Sequence, residues 1–136
     1  MTAKLNPYLQ FNGDAKQALE FYHSVLGGET ALNTYGQFGQ ADGPLADKIM
    51  HGSLTSQLGF TLMVADAPPD MTPQPGNNFS ISISGDAADA EALRGYFVAL
   101  SEGGQVHVPI EKQMWGDEFG MCTDKFGINW MVDISA

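Results

Sequence analysis

The sequence predicts an α+β fold assembled from two tandem copies of one βαβββ module. Three observations predict it. Strand-like and helix-like segments follow each other in the same order twice, particular residues recur in that order, and a proline-rich stretch parts the two runs.

Residues 5–11 are extended, and Pro7, which cannot donate to a sheet ladder, suits a strand start or an edge. Asn12-Gly13-Asp14 turns the chain, and Asp14 with Gln17 resembles a capping box. Ala15, Ala18, Leu19, Tyr22, Val25 and Leu26 recur at helical spacing as one apolar stripe. Gly27-Gly28 ends that helix, because glycine adopts the left-handed conformation a helix end favours. Residues 29–35 read as a strand, and 37–46, rich in Gly, Gln and Asp, as a loop. Strands at 48–55 and 59–64 flank a hairpin at Ser56-Gln57-Leu58. Residues 66–76 carry Pro68, Pro69, Pro73 and Pro75, which exclude regular structure there.

The second run begins with clean alternation: Phe79, Ile81 and Ile83 on one face, Ser80, Ser82 and Ser84 on the other. Gly85-Asp86 turns into a helix with the stripe Ala90, Leu93, Phe97 and Leu100, and Gly103-Gly104 ends it. Strands follow at 105–109, 119–123 and 128–134, with a linker at 111–118. Gly13-Asp14-Ala15 is echoed by Gly85-Asp86-Ala87, Ala18-Leu19 and Tyr22 by Ala92-Leu93 and Tyr96, Gly27-Gly28 by Gly103-Gly104, and Thr55 by Thr123. Gly59 to Val64 is echoed by Gly127 to Val132. The organisation expected is one domain over 1–136, with module 1 at 1–66, a link at 67–76 and module 2 at 77–136. One module alone has a single apolar sheet face and one helix, so two are expected to bury each other and enclose a groove.

Bulk properties narrow the function. The chain has 136 residues, enough for a sizeable core. Sixteen carboxylates against six Lys or Arg give a net charge of −10, which repels phosphate backbones and anionic lipid, so neither nucleic acid nor membrane is an expected partner. The one cysteine, Cys122, forms no internal disulfide. Residues 1–11 lack a basic start followed by an apolar run, and no stretch approaches the roughly 18 apolar residues of a span. The expected location is the cytoplasm.

The segment Asn6-Pro7-Tyr8-Leu9-Gln10-Phe11-Asn12-Gly13-Asp14, with Glu20-Phe21-Tyr22 and Val25-Leu26-Gly27-Gly28, resembles the opening of vicinal-oxygen-chelate proteins. Glyoxalase I, extradiol dioxygenases and antibiotic-resistance proteins belong to that superfamily. Glu111 to Gly120, Asp124-Lys125-Phe126-Gly127 and Trp130-Met131-Val132 resemble its PhnB-like subgroup. The resemblance implies the glyoxalase/bleomycin-resistance fold, with curved mixed sheets around a pocket, and a homodimer. Some subgroup members carry a ubiquinone-type methyltransferase label. Nothing here supports it, since no glycine-rich strand-to-helix turn and no parallel βαβ pattern occurs.

Metal-using members of the superfamily place His or Glu near the middle of the first and last strand of each module. Anchoring on Gly13-Asp14 and Gly85-Asp86 puts the first-strand positions at Pro7 and Phe79, and the final strands supply Met63 and Met131. None suits a hard divalent cation, and their neighbours Asn6, Tyr8, Leu62, Val64, Asn78, Ser80, Trp130 and Val132 add no His, Glu or Asp. No metal and no cofactor is therefore expected.

His51 is the candidate for hydrogen bonding or acid–base work, on the strand face opposite Met50 and Gly52. His23 reads as a solvated helix residue, and His107, alternating with Val106 and Val108, as part of an exposed strand face. Cys122 reads as a small buried hydrophobe, and no Gly-x-Ser-x-Gly elbow occurs. Asp117-Glu118 are adjacent and so point apart. The candidate ligand pocket is Tyr8, Gln10, His51, Met63, Gln113, Trp115, Asp117, Met121, Asn129 and Met131, apolar with a few polar points. The first expectation is a dimeric, metal-free protein binding a small molecule. The alternatives are a metal-dependent lyase or dioxygenase, and a dimeric scaffold without ligand.

Overall fold

The computed structural model describes residues 3–39 and 43–136. The 37–46 loop reading therefore falls partly outside the described residues, at 40–42, and residues 1–2 of the leader reading do too. The chain divides into two compact units, Met1–Gln74 and Pro75–Ala136.

The first unit runs β1 (Tyr8–Phe11), α1 (Ala15–Leu26), β2 (Glu29–Thr34), β3 (Ile49–Thr55) and β4 (Thr61–Asp66). Its sheet order is β1-β4-β3-β2, with β1 parallel to β4 and the other pairs antiparallel. The second unit runs β5 (Ile81–Gly85), α2 (Ala90–Ser101), β6 (Gln105–Lys112), β7 (Glu118–Thr123) and β8 (Asn129–Ile134). Its order, β5-β8-β7-β6, has β5 parallel to β8 and repeats the first topology strand for strand. No helix among the described residues is long and apolar enough to cross a membrane.

In each unit the helix lies on one face of its sheet. Leu9, Phe11, Leu54, Leu62 and Val64 are buried with Leu19, Tyr22 and Leu26 of α1; Ile83, Trp130, Val132 and Ile134 are buried with Leu93, Phe97 and Leu100 of α2. Each such side chain contributes roughly 1.5–3 kcal/mol by leaving water. Glycine makes the close approach possible at matching places. A Cβ on Gly52 would sit 3.3 Å from Leu19 Cδ2, and one on Gly120 would sit 2.8 Å from Phe97 Cε1. Gly52 lies opposite Val64 and Gly120 opposite Val132, so the two are counterparts. Where each helix returns to the sheet, a Cβ on Gly28 would meet the Thr55 carbonyl oxygen at 1.9 Å, and one on Gly104 the Thr123 oxygen at 2.0 Å.

One buried carboxylate holds the first unit together. Asp66 Oδ1 accepts from the N–H groups of Gly13 at 2.9 Å and Ala15 at 3.0 Å, and Oδ2 accepts from Ile49 N–H at 2.9 Å. The end of β4 is thereby tied to the first turn of α1 and the start of β3. Tyr35, whose hydroxyl donates to the Asp66 carbonyl at 2.7 Å, has its phenol pushed up by burial and then by the Asp66 charge. Asp66 also replaces the expected capping box: Asp14 stands at the N-cap but makes no side-chain cap bond. Beyond it, the proline-rich stretch contains one 3-10 turn, Pro69–Met71.

Other boundaries differ for identifiable reasons. β1 starts at Tyr8, leaving Leu5 fully exposed, and β5 starts at Ile81, leaving Phe79 63% exposed rather than on the core face. β6 continues through Pro109 to Lys112, where a linker was expected. Register shifts between Val106 and Val108 and between Val108 and Glu111 let the ladder resume around a residue with no N–H. The strand register also moves the repeat. Tyr8 pairs with Met63 and Ser82 with Met131, so the first-strand counterparts are Tyr8 and Ser82 rather than Pro7 and Phe79.

Two measurements check this account. Asp66→Ala leaves three N–H groups without their acceptor and is expected to cost at least about 3 kcal/mol in urea unfolding. The exposed control Asp70→Ala is expected to stay within about 0.5 kcal/mol of the parent. Gly28 and Gly59 share φ +93°, but only Gly28 faces a nearby backbone atom. Gly28→Ala should therefore be the more destabilising by at least about 2 kcal/mol, and equal losses would refute the close-approach argument.

Candidate functional site

The sheet face that each helix leaves uncovered carries most of the sequence-derived candidates. In the first unit, register places Tyr8, Met63 and Ser53 in one row and Gln10 beside Ala65 in the next, and alternation from Ser53 puts His51 on the same face, opposite Leu9, Val64 and Leu54. Tyr8 Oη lies 3.4 Å from His51 Nδ1, at the long limit of a hydrogen bond, with the ring centroids 5.7 Å apart. The structure thus brings Tyr8, His51, Met63 and Gln10 onto one face. A register shift after Asn33, which pairs with His51, sets apart Met50, the residue preceding His51.

In the second unit the uncovered face carries Phe119, Met121 and Thr123 of β7 opposite Asp133, Met131 and Asn129 of β8, with Ser82 beside Met131. Thr123 Oγ1 donates to Asn129 Oδ1 at 2.6 Å and is also 2.7 Å from His107 Nε2. Gln113, Trp115 and Asp117 belong to the β6–β7 turn, closed by Gln113 N–H to the Asp117 carbonyl at 2.7 Å. The Gln113 amide donates to the Glu111 carbonyl at 3.0 Å and is engaged in its own turn. Trp115 is 60% exposed and edge-on to Phe119.

Asp117 and Asp133 form a pair that sequence reasoning missed, because it weighed Asp117 only against Glu118. Asp133 Oδ1 is shielded from water and meets no hydrogen-bond donor. Burial first, then the neighbouring Asp117 carboxyl, push the Asp133 carboxyl above the ordinary carboxylate range. Glu118 moves the other way: its hydrogen bonds to Arg94, one of them 2.9 Å from Nε to Oε1, hold it low. Cys122 is buried and its thiol is raised chiefly by that burial, which suits packing rather than nucleophilic work.

The side chains at the paired strand positions do not make a site for a hard divalent cation. The paired edge and inner strands present Tyr8 with Met63 and Ser82 with Met131. Phenol, hydroxyl and two thioethers do not fit such an ion, which takes carboxylate or imidazole donors. Among the described residues no group of three or more His, Cys, Asp or Glu could hold a metal.

A sheet of this topology covered by one helix, present twice in one chain, defines the glyoxalase/bleomycin-resistance class of fold. A solved glyoxylase/bleomycin resistance protein/dioxygenase domain from Frankia sp. EAN1pec is similar, with a TM-score of 0.63 and 12% identity over 100% of this chain and 93% of that one. The chain belongs to the PhnB-like family described as 3-demethylubiquinone-9 3-methyltransferase, whose model matches residues 3–133. It is similar to protein PA1353 from Pseudomonas aeruginosa, 38% identical with a TM-score of 0.83 over 98% of each chain. It also resembles in fold a PhnB protein from Bacillus cereus, with a TM-score of 0.73 and 22% identity over 98% of this chain and 100% of that one.

The raised Asp133 has a signed consequence. A carboxyl raised on folding contributes stability below its unfolded pKa, about 3.9, and that stability is lost as pH rises through the folded value. Asp133→Asn removes this titration. Relative to the variant, the parent is expected to lose stability progressively as pH rises from about 4, with the difference constant above the folded pKa. Urea midpoints across pH read it out, and a pH-independent difference would exclude a raised Asp133 carboxyl.

Proposed function

We propose that this protein is a metal-free, small-molecule-binding member of the PhnB-like family, whose ligand lies on a helix-free sheet face. The observation that carries the proposal is the side-chain set at the paired strand positions: Tyr8 with Met63, and Ser82 with Met131. Aromatic and thioether groups favour a planar or partly apolar molecule, and His51, Gln10 and Asn129 supply polar points. Sequestering a toxic compound is a function such a site can serve without chemistry.

The family description names methyl transfer. The mixed sheets, with only β1–β4 and β5–β8 parallel, do not favour that activity through the nucleotide-binding arrangement of a doubly wound parallel sheet. Self-association into a homodimer belongs to the same reading. Phe79, Met114 and Trp115, at 63%, 99% and 60% exposure, support it. A cytoplasmic setting is likewise proposed, supported by a single buried cysteine.

Protein purified without chelator is expected to contain far less than one equivalent of iron, zinc, nickel or manganese, and EDTA should leave its melting temperature unchanged. Screened against small planar compounds, it should show concentration-dependent stabilisation, about 2.7 kcal/mol at a hundredfold excess over Kd. Tyr8→Ala with Met63→Ala, or Met121→Ala with Met131→Ala, should abolish the response. Stoichiometric metal with metal-dependent turnover would replace this reading with a lyase or dioxygenase. A silent screen would replace it with a scaffold.

A further inference from the structure

Strict alternation along β6 would set His107 apart from Val106 and Val108. The strand does not alternate there. Val106 stands opposite Cys122 and Val108 opposite Met121, so β6 advances two residues while β7 advances one. His107 is the extra residue of a bulge, a device that re-aims a side chain. Its ring reaches the uncovered face, where Nε2 is 2.7 Å from Thr123 Oγ1.

The hydrogen bonds beyond Thr123 fix the imidazole's protons. The Gly76 carbonyl can only accept, so the Asn129 amide turns its Nδ2 toward it, at 3.3 Å. Asn129 Oδ1 then faces Thr123 and can only accept, so the threonine hydroxyl spends its one proton there, at 2.6 Å. His107 Nε2 must therefore donate to Thr123 Oγ1. The neutral ring is held as the Nε2–H tautomer, and Nδ1 carries a lone pair with no protein donor among the described residues. Beside this chain, Met121 and Met131 face each other across β7 and β8.

We infer that His107 is a ligand-contacting residue, its Nδ1 a fixed acceptor for an N–H or O–H of an apolar small molecule lying over Met121 and Met131. The inference rests on the proposed sheet-face binding and names the chemistry that the second unit reads. Thr123 and Asn129 are positioning residues that act through the imidazole. A ligand with the same ring but no donor leaves Nδ1 unpaired and binds less tightly.

Long-range proton–nitrogen NMR of the neutral imidazole tests the first step. Parent protein is expected to show His107 as Nε2–H, Thr123→Val to admit the Nδ1–H form, and Thr123→Ser to restore the parent pattern. Phenol and its methyl ether, anisole, test the second. Phenol should move the His107 Nδ1 resonance together with the Met121 and Met131 methyl signals, and anisole should bind roughly tenfold more weakly. An Nδ1–H tautomer in the parent overturns the inference. Phenol that moves both methyls but not Nδ1 also overturns it, while leaving sheet-face binding standing. Phenol that moves neither overturns both for this unit.

Discussion

A single carboxylate organises the first unit. Asp66 is 2% exposed and accepts three backbone N–H groups from two different elements. Burying a charge is expensive unless it is fully hydrogen-bonded, so the arrangement holds only while all three donors converge. It fixes where α1 leaves the sheet and where β3 begins. Tyr8, Met63 and His51 inherit their positions from that frame, since they occupy the far sides of the strands it ties.

The second unit reaches the same topology by another route. Ile134 stands where the first unit has Asp66, and it is buried. The buried acid of this unit is Asp124, in the turn between β7 and β8. It accepts from Phe126 N–H at 2.8 Å, Ile128 N–H at 3.1 Å and the Trp130 indole at 2.8 Å. Ser56 occupies the matching turn in the first unit, its hydroxyl accepting from Phe60 N–H at 2.9 Å. Among the described residues each unit thus has one well-satisfied buried carboxylate, at opposite ends of the same strand pair.

The fold was legible because its signals are local. The alternation at Ile81 and Ile83, the stripe through Ala18, Leu19 and Tyr22, and the paired glycines after each helix need no knowledge of distant residues. The functional face was less legible because it depends on register. Gly13-Asp14 and Gly85-Asp86 look equivalent, yet pairing across β4 and β8 aligns Tyr8 with Ser82. His107 is exposed, as its strand position suggests, but the bulge that sets its direction leaves no sign in one sequence. Asp66 read as the start of the proline-rich connector, two residues past the expected strand end, whereas β4 runs through it. The usable signal was the repeat itself, which sets that acid against Ile134 and so marks a carboxylate at a core position.

That contrast gives the two strand-end corners different dependences on temperature. Apolar burial loses driving force as temperature falls, whereas charge-assisted hydrogen bonds to backbone groups do not share that dependence. The corner where β8 ends on Ile134 is held by contacts that weaken in chilled solvent, and the corner where β4 ends on Asp66 is not. The same architecture thus carries two matching strand termini whose holding forces scale differently with temperature.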